Sequence, residues 1–169
     1  IIATGSVSKS LPIPGHDLEC VMDSTDLLSI DHIPATLTII GGGVIGMEFA
    51  GIFSALGSQV TVIEFMKQIL PPFDSDIAKR LKQALTKKGI KIITSAAAKS
   101  IEQNDQYEIV VTYESKGKEE KVVSSDLLMA VGRAPRVEGL NLEAAGVEYS
   151  KRGIAVDDSM RTNVPNIYA

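Results

Sequence analysis

Short apolar segments alternate with amphipathic ones through the first half of the chain. Thr36 to Ile40, Gln59 to Glu64 and Ile90 to Ile93 are apolar runs rich in β-branched residues, as is typical of buried strands. Val44 to Leu56 and Ser75 to Lys88 have the length and apolar spacing of helices. The order strand, helix, strand, helix, strand predicts a Rossmann-like α/β fold, a parallel sheet with flanking helices.

The second predicted helix, Ser75 to Lys88, has recognisable ends. Asp74 is a favourable N-cap residue, and Gly89 follows the last turn, where glycine commonly ends a helix. The residues predicted to form its apolar face are Ile77, Leu81, Ala84 and Leu85.

The pattern changes in the second half of the chain. Ala97 to Gln103, Tyr107 to Ser115 and Glu120 to Ser124 are alternating runs separated by short polar turns. This predicts a three-stranded antiparallel meander. A further apolar strand is predicted over Asp126 to Val131, and a last short one over Ile154 to Val156. Near the start, Ile1 to Gly5 predicts a strand and Asp23 to Ile30 a short helix.

Composition excludes some classes of protein. The formal net charge is −4 and the pI is about 5.2, which argues against a nucleic-acid binder with a basic face. No apolar run reaches the roughly 18 residues of a membrane span. Cys20 is the only cysteine, so an intrachain disulfide is excluded, no metal site is predicted, and a reducing compartment is the simplest interpretation. We expect Cys20 to be a small, buried or half-buried side chain.

Three glycines follow the first apolar strand with the spacing G-x-G-x-x-G, at Gly41, Gly43 and Gly46. The motif alone is weak. Here a strand precedes it, a helix opens on it, and Glu64 ends the next strand, 23 residues after Gly41. This is the arrangement of a dinucleotide-binding fingerprint. The alternative is a tight turn between strand and helix, with Glu64 as a solvated strand end.

Each residue of the fingerprint has a physical role. Gly41 permits the tight turn, Gly43 leaves room for a pyrophosphate, and Gly46 lets the helix pack closely on the sheet. The helix N-terminus offers unpaired N–H groups to the phosphates. The carboxylate of Glu64 can accept hydrogen bonds from ribose hydroxyls and would repel a 2′-phosphate, which favours NAD over NADP. Lys67 alone is a weak argument for NADP.

Five segments that together span essentially the whole chain occur in this order: "IIATGS", "GGGVIGMEFA", "VTVIE", "LLMAVGRAPR" and "DDSMRTNVPNIYA". This series resembles the flavoprotein disulfide reductases, and within them most of all the dihydrolipoamide dehydrogenases. In that family an NAD domain is inserted into a split FAD domain. The resemblance implies an exit from the FAD domain over residues 1–28, an NAD-binding domain over 29–150, and a return segment over 151–169.

The resemblance also assigns site residues. Those implied to contact NAD are Gly41, Gly42, Gly43, Val44, Ile45, Gly46, Glu48, Glu64, Ala98 and Gly132. Those implied to lie along FAD in the full protein are Thr4, Gly5 and Ser6. Arg133 and Arg136 are open to two interpretations, as phosphate ligands or as structural residues of a domain junction. His16 and His32 are expected to be surface or turn residues rather than catalytic bases.

The family's chemistry requires a redox-active cysteine pair and a His-Glu base, and no candidate for either is present. We therefore expect this chain to be a catalytically inactive, monomeric piece of a larger homodimeric enzyme. The resemblance implies that the parent oxidises dihydrolipoamide, held on a domain of a 2-oxo acid dehydrogenase complex, and passes electrons through FAD to NAD. It implies a cytoplasmic location in a bacterium, or a mitochondrial or plastid matrix in a eukaryote. Two alternatives remain, a sister enzyme of the mercuric reductase or NADH oxidase type and a non-catalytic NADH-sensing module.

Overall fold

The computed structural model describes residues 1–169, which form two compact units. The sheet unit comprises Ser10–Gly132, and the small unit comprises Ile1–Lys9 together with Arg133–Ala169. Each unit is described by itself below.

The sheet unit contains all three helices and eight of the twelve strands. Its helices are α1 (Ser24–Leu27), α2 (Val44–Ala55) and α3 (Ser75–Lys87). Its strands are β2 (Val21–Met22), β3 (Thr36–Ile40), β4 (Gln59–Glu64), β5 (Lys91–Thr94), β6 (Ala96–Gln103), β7 (Ile109–Ser115), β8 (Lys118–Ser124) and β9 (Asp126–Met129), and the small unit contributes β1 (Ser6–Ser8), β10 (Arg133–Pro135), β11 (Tyr149–Ser150) and β12 (Gly153–Ile154).

Five of these strands form one parallel sheet in the order β2-β9-β3-β4-β5. Ile40 at the end of β3 pairs with Met129 of β9 and with Ile63 of β4, and Glu64 pairs with Thr94 of β5. The carboxyl ends of these strands therefore meet at one edge. In open sheets of this kind, ligands bind beyond the carboxyl ends of the strands.

The two faces of the sheet bury different partners, because successive strand residues point to opposite faces. On one face, Leu37 and Ile39 belong to a helix-side core with residues of α2 and α3, among them Phe53 and Leu85. On the other face, Ile40 belongs to a meander-side core with the inward residues of an antiparallel sheet, β6-β7-β8. The predicted α/β fold with an added antiparallel meander is thus confirmed.

The predicted apolar face of α3 is wrong at two of its four residues. Ile77 is 57% exposed and Ala84 is exposed, whereas Ala78 is only 1% exposed and packs in the helix-side core. Leu81 and Leu85 do face the core. A small residue at 78 lets the first turn approach the sheet closely, and apolar periodicity gives most weight to the larger Ile77, so it selects the wrong residue.

Several short strands also differ from the sequence predictions: β10 and β11 were not predicted, and the last strand covers Gly153–Ile154 rather than Ile154 to Val156. Ile1 to Gly5 is not a strand: β1 begins after Gly5, whose φ of +75° turns the chain. The two-residue strand β2 was missed because it shows no periodic pattern, yet Val21 and Met22 pair in parallel with Leu127 and Leu128. It adds the edge strand beyond β9.

Candidate nucleotide-binding site

The turn from β3 into α2 is held from both sides at the carboxyl edge of the sheet. The N–H of Gly41 donates to the carbonyl oxygen of Ile63 in β4 at 2.9 Å. The N–H of Ala130, just after β9, donates to the carbonyl oxygen of Ile40 at 2.8 Å. The glycine turn is therefore continuous with the ladders of its two neighbouring strands.

Gly41 and Gly46 are required by the protein itself. Gly41 has φ +114°, and a Cβ there would lie 2.3 Å from the carbonyl oxygen of Ala130. A Cβ on Gly46 would lie 2.0 Å from the carbonyl oxygen of Gly41. No real Cβ approaches backbone that closely, so the turn and the helix can pack in this way only with glycine at both positions.

Gly43 is different, because nothing in the chain requires glycine there. Its φ of −74° and ψ of −174° are open to any residue, and a Cβ would meet no atom within 4 Å. A side chain at Gly43 would instead fill the space in front of the N-terminus of α2. The tight-turn interpretation accounts for Gly41 and Gly46 but leaves Gly43 unexplained, and close approach of a ligand accounts for it.

The N-terminus of α2 suits an anion. Gly43 is the N-cap residue and gives no side-chain cap, and the first turn carries no acidic residue. The unpaired N–H groups and the positive end of the helix dipole thus face the open space beside Gly43.

Glu64 is buried, at 6% exposure, and is bonded to the turn itself. Its Oε2 accepts a hydrogen bond from the N–H of Gly42 at 2.5 Å, and its Oε1 accepts one from the N–H of Met66 at 2.6 Å. The interpretation as a solvated strand end is therefore wrong. Sequence spacing gave no indication that this carboxylate also satisfies two backbone donors.

The remaining predicted residues of the sheet unit lie around this edge. Val44 is 46% exposed and Ile45 is half-buried in the first turn of α2, and Glu48 is exposed in the second turn. Gly132 is exposed, with φ +118°, three residues after the end of β9. It therefore leaves the sheet on the side of the glycine turn opposite Glu64.

A groove of about 640 Å³ begins immediately after Glu64. It is lined by the loop after β4, by the start of β6 and by the end of β7, namely Phe65, Met66, Lys67, Gln68, Pro71, Ser95, Ala97, Glu114 and Lys116. Ala97 lines this groove, whereas Ala98 packs against the meander-side core. The structure thus places the neighbour of the predicted Ala98 in the groove, since the two point to opposite faces of β6.

In the small unit, Thr4, Gly5 and Ser6 are bound to the segment after Gly132. The hydroxyl of Thr4 donates to the carbonyl oxygen of Arg136 at 2.6 Å, and the N–H of Arg136 donates to Gly5. Arg133 donates to the hydroxyl of Ser6 at 2.7 Å and to its carbonyl oxygen at 2.8 Å. These contacts favour the structural interpretation of Arg133, which ties β1 to β10.

Other candidate groups lie apart from this edge. Cys20 is half-buried as predicted, and burial raises the pKa of its thiol. His16 bonds to the hydroxyl of Ser10 at 3.0 Å. No three His, Cys, Asp or Glu side chains come together as a metal site would require, and none of the helices is long and apolar enough to cross a bilayer.

The sheet, its meander and the open glycine turn define an α/β domain of the Rossmann type. The chain belongs to the pyridine nucleotide-disulphide oxidoreductase family, whose model matches residues 1–169. Among curated relatives, dihydrolipoyl dehydrogenase of Bacillus subtilis is 44% identical over 169 residues, covering 100% of this chain and 36% of the relative. The mitochondrial dihydrolipoyl dehydrogenase of Schizosaccharomyces pombe is 38% identical, covering 99% of this chain and 33% of the relative.

Solved structures agree with this assignment. The HOCl-induced flavoprotein disulfide reductase RclA of Escherichia coli superposes with a TM-score of 0.88 at 36% identity, covering 98% of this chain and 38% of that one. The homologues are thus redox flavoenzymes, and this chain spans little more than a third of their length.

Proposed function

We propose that this chain is the NAD(H)-binding domain of a dihydrolipoyl dehydrogenase. The observation that carries the proposal is the open space at Gly43, in front of the N-terminus of α2, with the buried carboxylate of Glu64 beside it. The pyrophosphate would lie on the helix N-terminus. The adenosine would extend past Glu64 into the groove, and the nicotinamide would extend the other way, past Gly132, with Val44, Ile45 and Glu48 along the helix.

The fixed carboxylate of Glu64 supports a preference for NADH over NADPH. Two backbone N–H groups hold it in place, so it cannot swing away from a 2′-phosphate. Its free lone pairs remain available to ribose hydroxyls. Lys67 and Lys116 line the same groove, and their ammonium groups favour a phosphate. The preference between NADH and NADPH therefore depends on the balance between Glu64, which disfavours a 2′-phosphate, and these two lysines, which favour one.

When bound, NAD accepts or delivers the hydride, and the residues of this chain bind and orient it. The glycine turn fixes the pyrophosphate, Glu64 fixes the adenosine ribose, and Gly132 gives the nicotinamide end close access to the backbone. Ala98 is retained as a candidate adenine contact through its backbone, beside Ala97 in the groove. The proposal also keeps Thr4, Gly5 and Ser6 as residues that lie along FAD in the parent protein.

The proposal for the parent goes further than this chain. It is a homodimeric enzyme that oxidises dihydrolipoamide on a 2-oxo acid dehydrogenase complex, in the cytoplasm of a bacterium or an organelle matrix. Within it, residues 29–150 are the NAD domain, and 1–28 and 151–169 lead from and to the FAD domain. This chain alone is monomeric and does not turn over dihydrolipoamide. The structural likeness to RclA favours one alternative, a sister flavoprotein disulfide reductase with a different electron donor.

Calorimetric titration with NADH and with NADPH tests the binding proposal. We expect NADH to bind more tightly, and Glu64→Gln to reduce the difference, because it removes the charge and keeps one acceptor oxygen. Gln is preferred to Ala here because Ala would leave both N–H donors unpaired. A tighter complex with NADPH in the wild-type chain would overturn the NAD assignment, and absence of binding to either nucleotide would overturn the proposed site in this chain.

A further inference from the structure

We propose that Leu70 positions the phosphate-facing peptide of the glycine turn. The inference rests on the proposed nucleotide site and adds to it a residue 28 positions away in sequence from Gly42. The N–H of Leu70 donates to the carbonyl oxygen of Gly42 at 2.8 Å. With Glu64 on the N–H of the same glycine, both backbone polar groups of Gly42 are held from outside the turn.

The direction of the N–H of Gly43 follows from the geometry of the peptide bond that precedes it. The bond between Gly42 and Gly43 is planar and trans, so its C=O and N–H point in opposite directions. Because the N–H of Leu70 holds the Gly42 carbonyl, the N–H of Gly43 points away from Leu70. It donates to no atom of the chain, and the space beside Gly43 is open. This N–H is therefore available to a phosphate oxygen.

The preceding peptide, between Gly41 and Gly42, is fixed through its N–H and points the opposite way. Glu64 holds the N–H of Gly42, so the carbonyl oxygen of Gly41 points away from Glu64 and lies against α2. A Cβ on Gly46 would come within 2.0 Å of that oxygen. Two successive peptides thus alternate, each fixed by one contact. If the contact to Leu70 were absent, the Gly42–Gly43 peptide would be free to flip and present its carbonyl to the phosphate, which is repulsive.

Leu70 holds this position in an unfavourable conformation. Its φ is +48°, a left-handed backbone that a bulky side chain rarely adopts. The side chain is 7% exposed and packs in the helix-side core next to Ile69, which is fully buried. Burial of the side chain offsets the strain and fixes the loop. Strained residues kept by their surroundings are concentrated at ligand sites, in agreement with a positioning role.

The experiment removes the donor and keeps the side chain. Replacing Leu70 with its α-hydroxy acid converts the N–H into an ester oxygen, whereas Leu70→Gly would change burial and strain together. The matched control is the same replacement at Phe73, whose N–H donates to the carbonyl oxygen of Leu70 at 2.9 Å within the same loop. The readouts are the melting temperature, the affinities for NADH and for adenosine, and the ¹⁵N order parameter of the Gly43 amide.

We expect the Leu70 ester to lose about tenfold or more in NADH affinity, as for a lost hydrogen bond to a charged group. Adenosine affinity should be unchanged, the Gly43 order parameter should fall, and the Phe73 ester should match the wild type in all three. Unchanged NADH affinity and order parameter in the Leu70 ester would overturn the inference, as would equal losses for adenosine, which indicate general unfolding. If the wild-type chain binds no NADH, the proposed function fails, and the Gly43 order parameter alone decides whether Leu70 orients the peptide.

Discussion

The carboxylate of Glu64 accepts a hydrogen bond from the N–H of Gly42 at 2.5 Å, which joins the end of one strand to the turn that follows its neighbour. A fingerprint carboxylate is expected to serve the ribose. Here it also completes the backbone of the glycine turn, and its second oxygen does the same for Met66. Under the proposed function, ligand specificity and local stability depend on the same side chain, so substitutions of Glu64 must be judged on both.

Replacing Glu64 with Ala should destabilise the chain as well as change its nucleotide preference. The buried N–H of Gly42 and the partly buried N–H of Met66 would both lose their acceptor, and loss of the acceptor of a buried donor costs about 1–3 kcal/mol. We expect Glu64→Ala to lower the free energy of unfolding by about 3 kcal/mol, with a smaller loss for Glu64→Gln, which keeps one oxygen. Urea unfolding of both variants checks this. Equal stability of Glu64→Ala and wild type would mean that the two hydrogen bonds contribute nothing.

Two alanine substitutions in the fingerprint should have opposite consequences. Gly43→Ala adds a Cβ in open space, so stability should change by no more than about 1 kcal/mol, while NADH affinity falls because the methyl group keeps the phosphate from the helix N-terminus. Gly46→Ala places a Cβ 2.0 Å from the Gly41 carbonyl oxygen and should destabilise by about 3 kcal/mol or more. Thermal melts with and without NADH measure both effects.

A second glycine of the same helix provides a control for Gly46→Ala. Replacing a glycine inside a helix with alanine ordinarily stabilises by up to about 1 kcal/mol. Gly51 lies in the same helix and a Cβ there meets nothing within 4 Å, so Gly51→Ala should be neutral or stabilising. If Gly46→Ala and Gly51→Ala behaved alike, close packing of the turn on α2 would not be the reason for Gly46.

The parallel sheet and its edge could be predicted because their signals are local. The bounds of β3 and β4 follow from uninterrupted apolar runs, and Asp74 does cap α3, accepting from the N–H of Asp76 at 2.9 Å. The features of the site that could not be predicted are contacts between segments distant in sequence. The contacts of Glu64 with Gly42 and of Leu70 with Gly42 have no periodicity, because one is set by a turn and the other by a strained loop.

An unpaired hydroxyl in the central strand provides a test of the core. Thr38 is fully buried in β3, and its Oγ1 has no hydrogen-bond partner. Valine has nearly the same shape, so Thr38→Val removes a desolvated polar group without leaving a cavity. We expect the free energy of unfolding to rise by about 1 kcal/mol. The control is Ser58→Ala, which removes a buried hydroxyl that donates to the Pro34 carbonyl oxygen at 2.6 Å and should lower stability by about the same amount. The same sign for both variants would contradict this interpretation.

His32 should make stability depend on pH. Its Nδ1 lies 3.4 Å from a carboxylate oxygen of Asp31 and its Nε2 lies 3.2 Å from one of Asp126. Hydrogen bonds to Asp31 and then to Asp126 raise the pKa of His32 above the ordinary value of about 6.5. Because the folded-state pKa is the higher one, the stabilisation is complete below about pH 6.5 and is lost as the pH rises through the folded-state pKa.

The measurement is an NMR titration of the imidazole of His32 in the wild type and in Asp126→Asn. The substitution keeps the size of the side chain and removes one of the two charges, so the titration midpoint of His32 should move down towards the ordinary value. Unfolding curves on either side of the wild-type midpoint should show that the stability difference between the two proteins narrows at high pH, where the imidazole is neutral. A midpoint that Asp126→Asn leaves in place would mean that the pairing with Asp126 makes no contribution in solution.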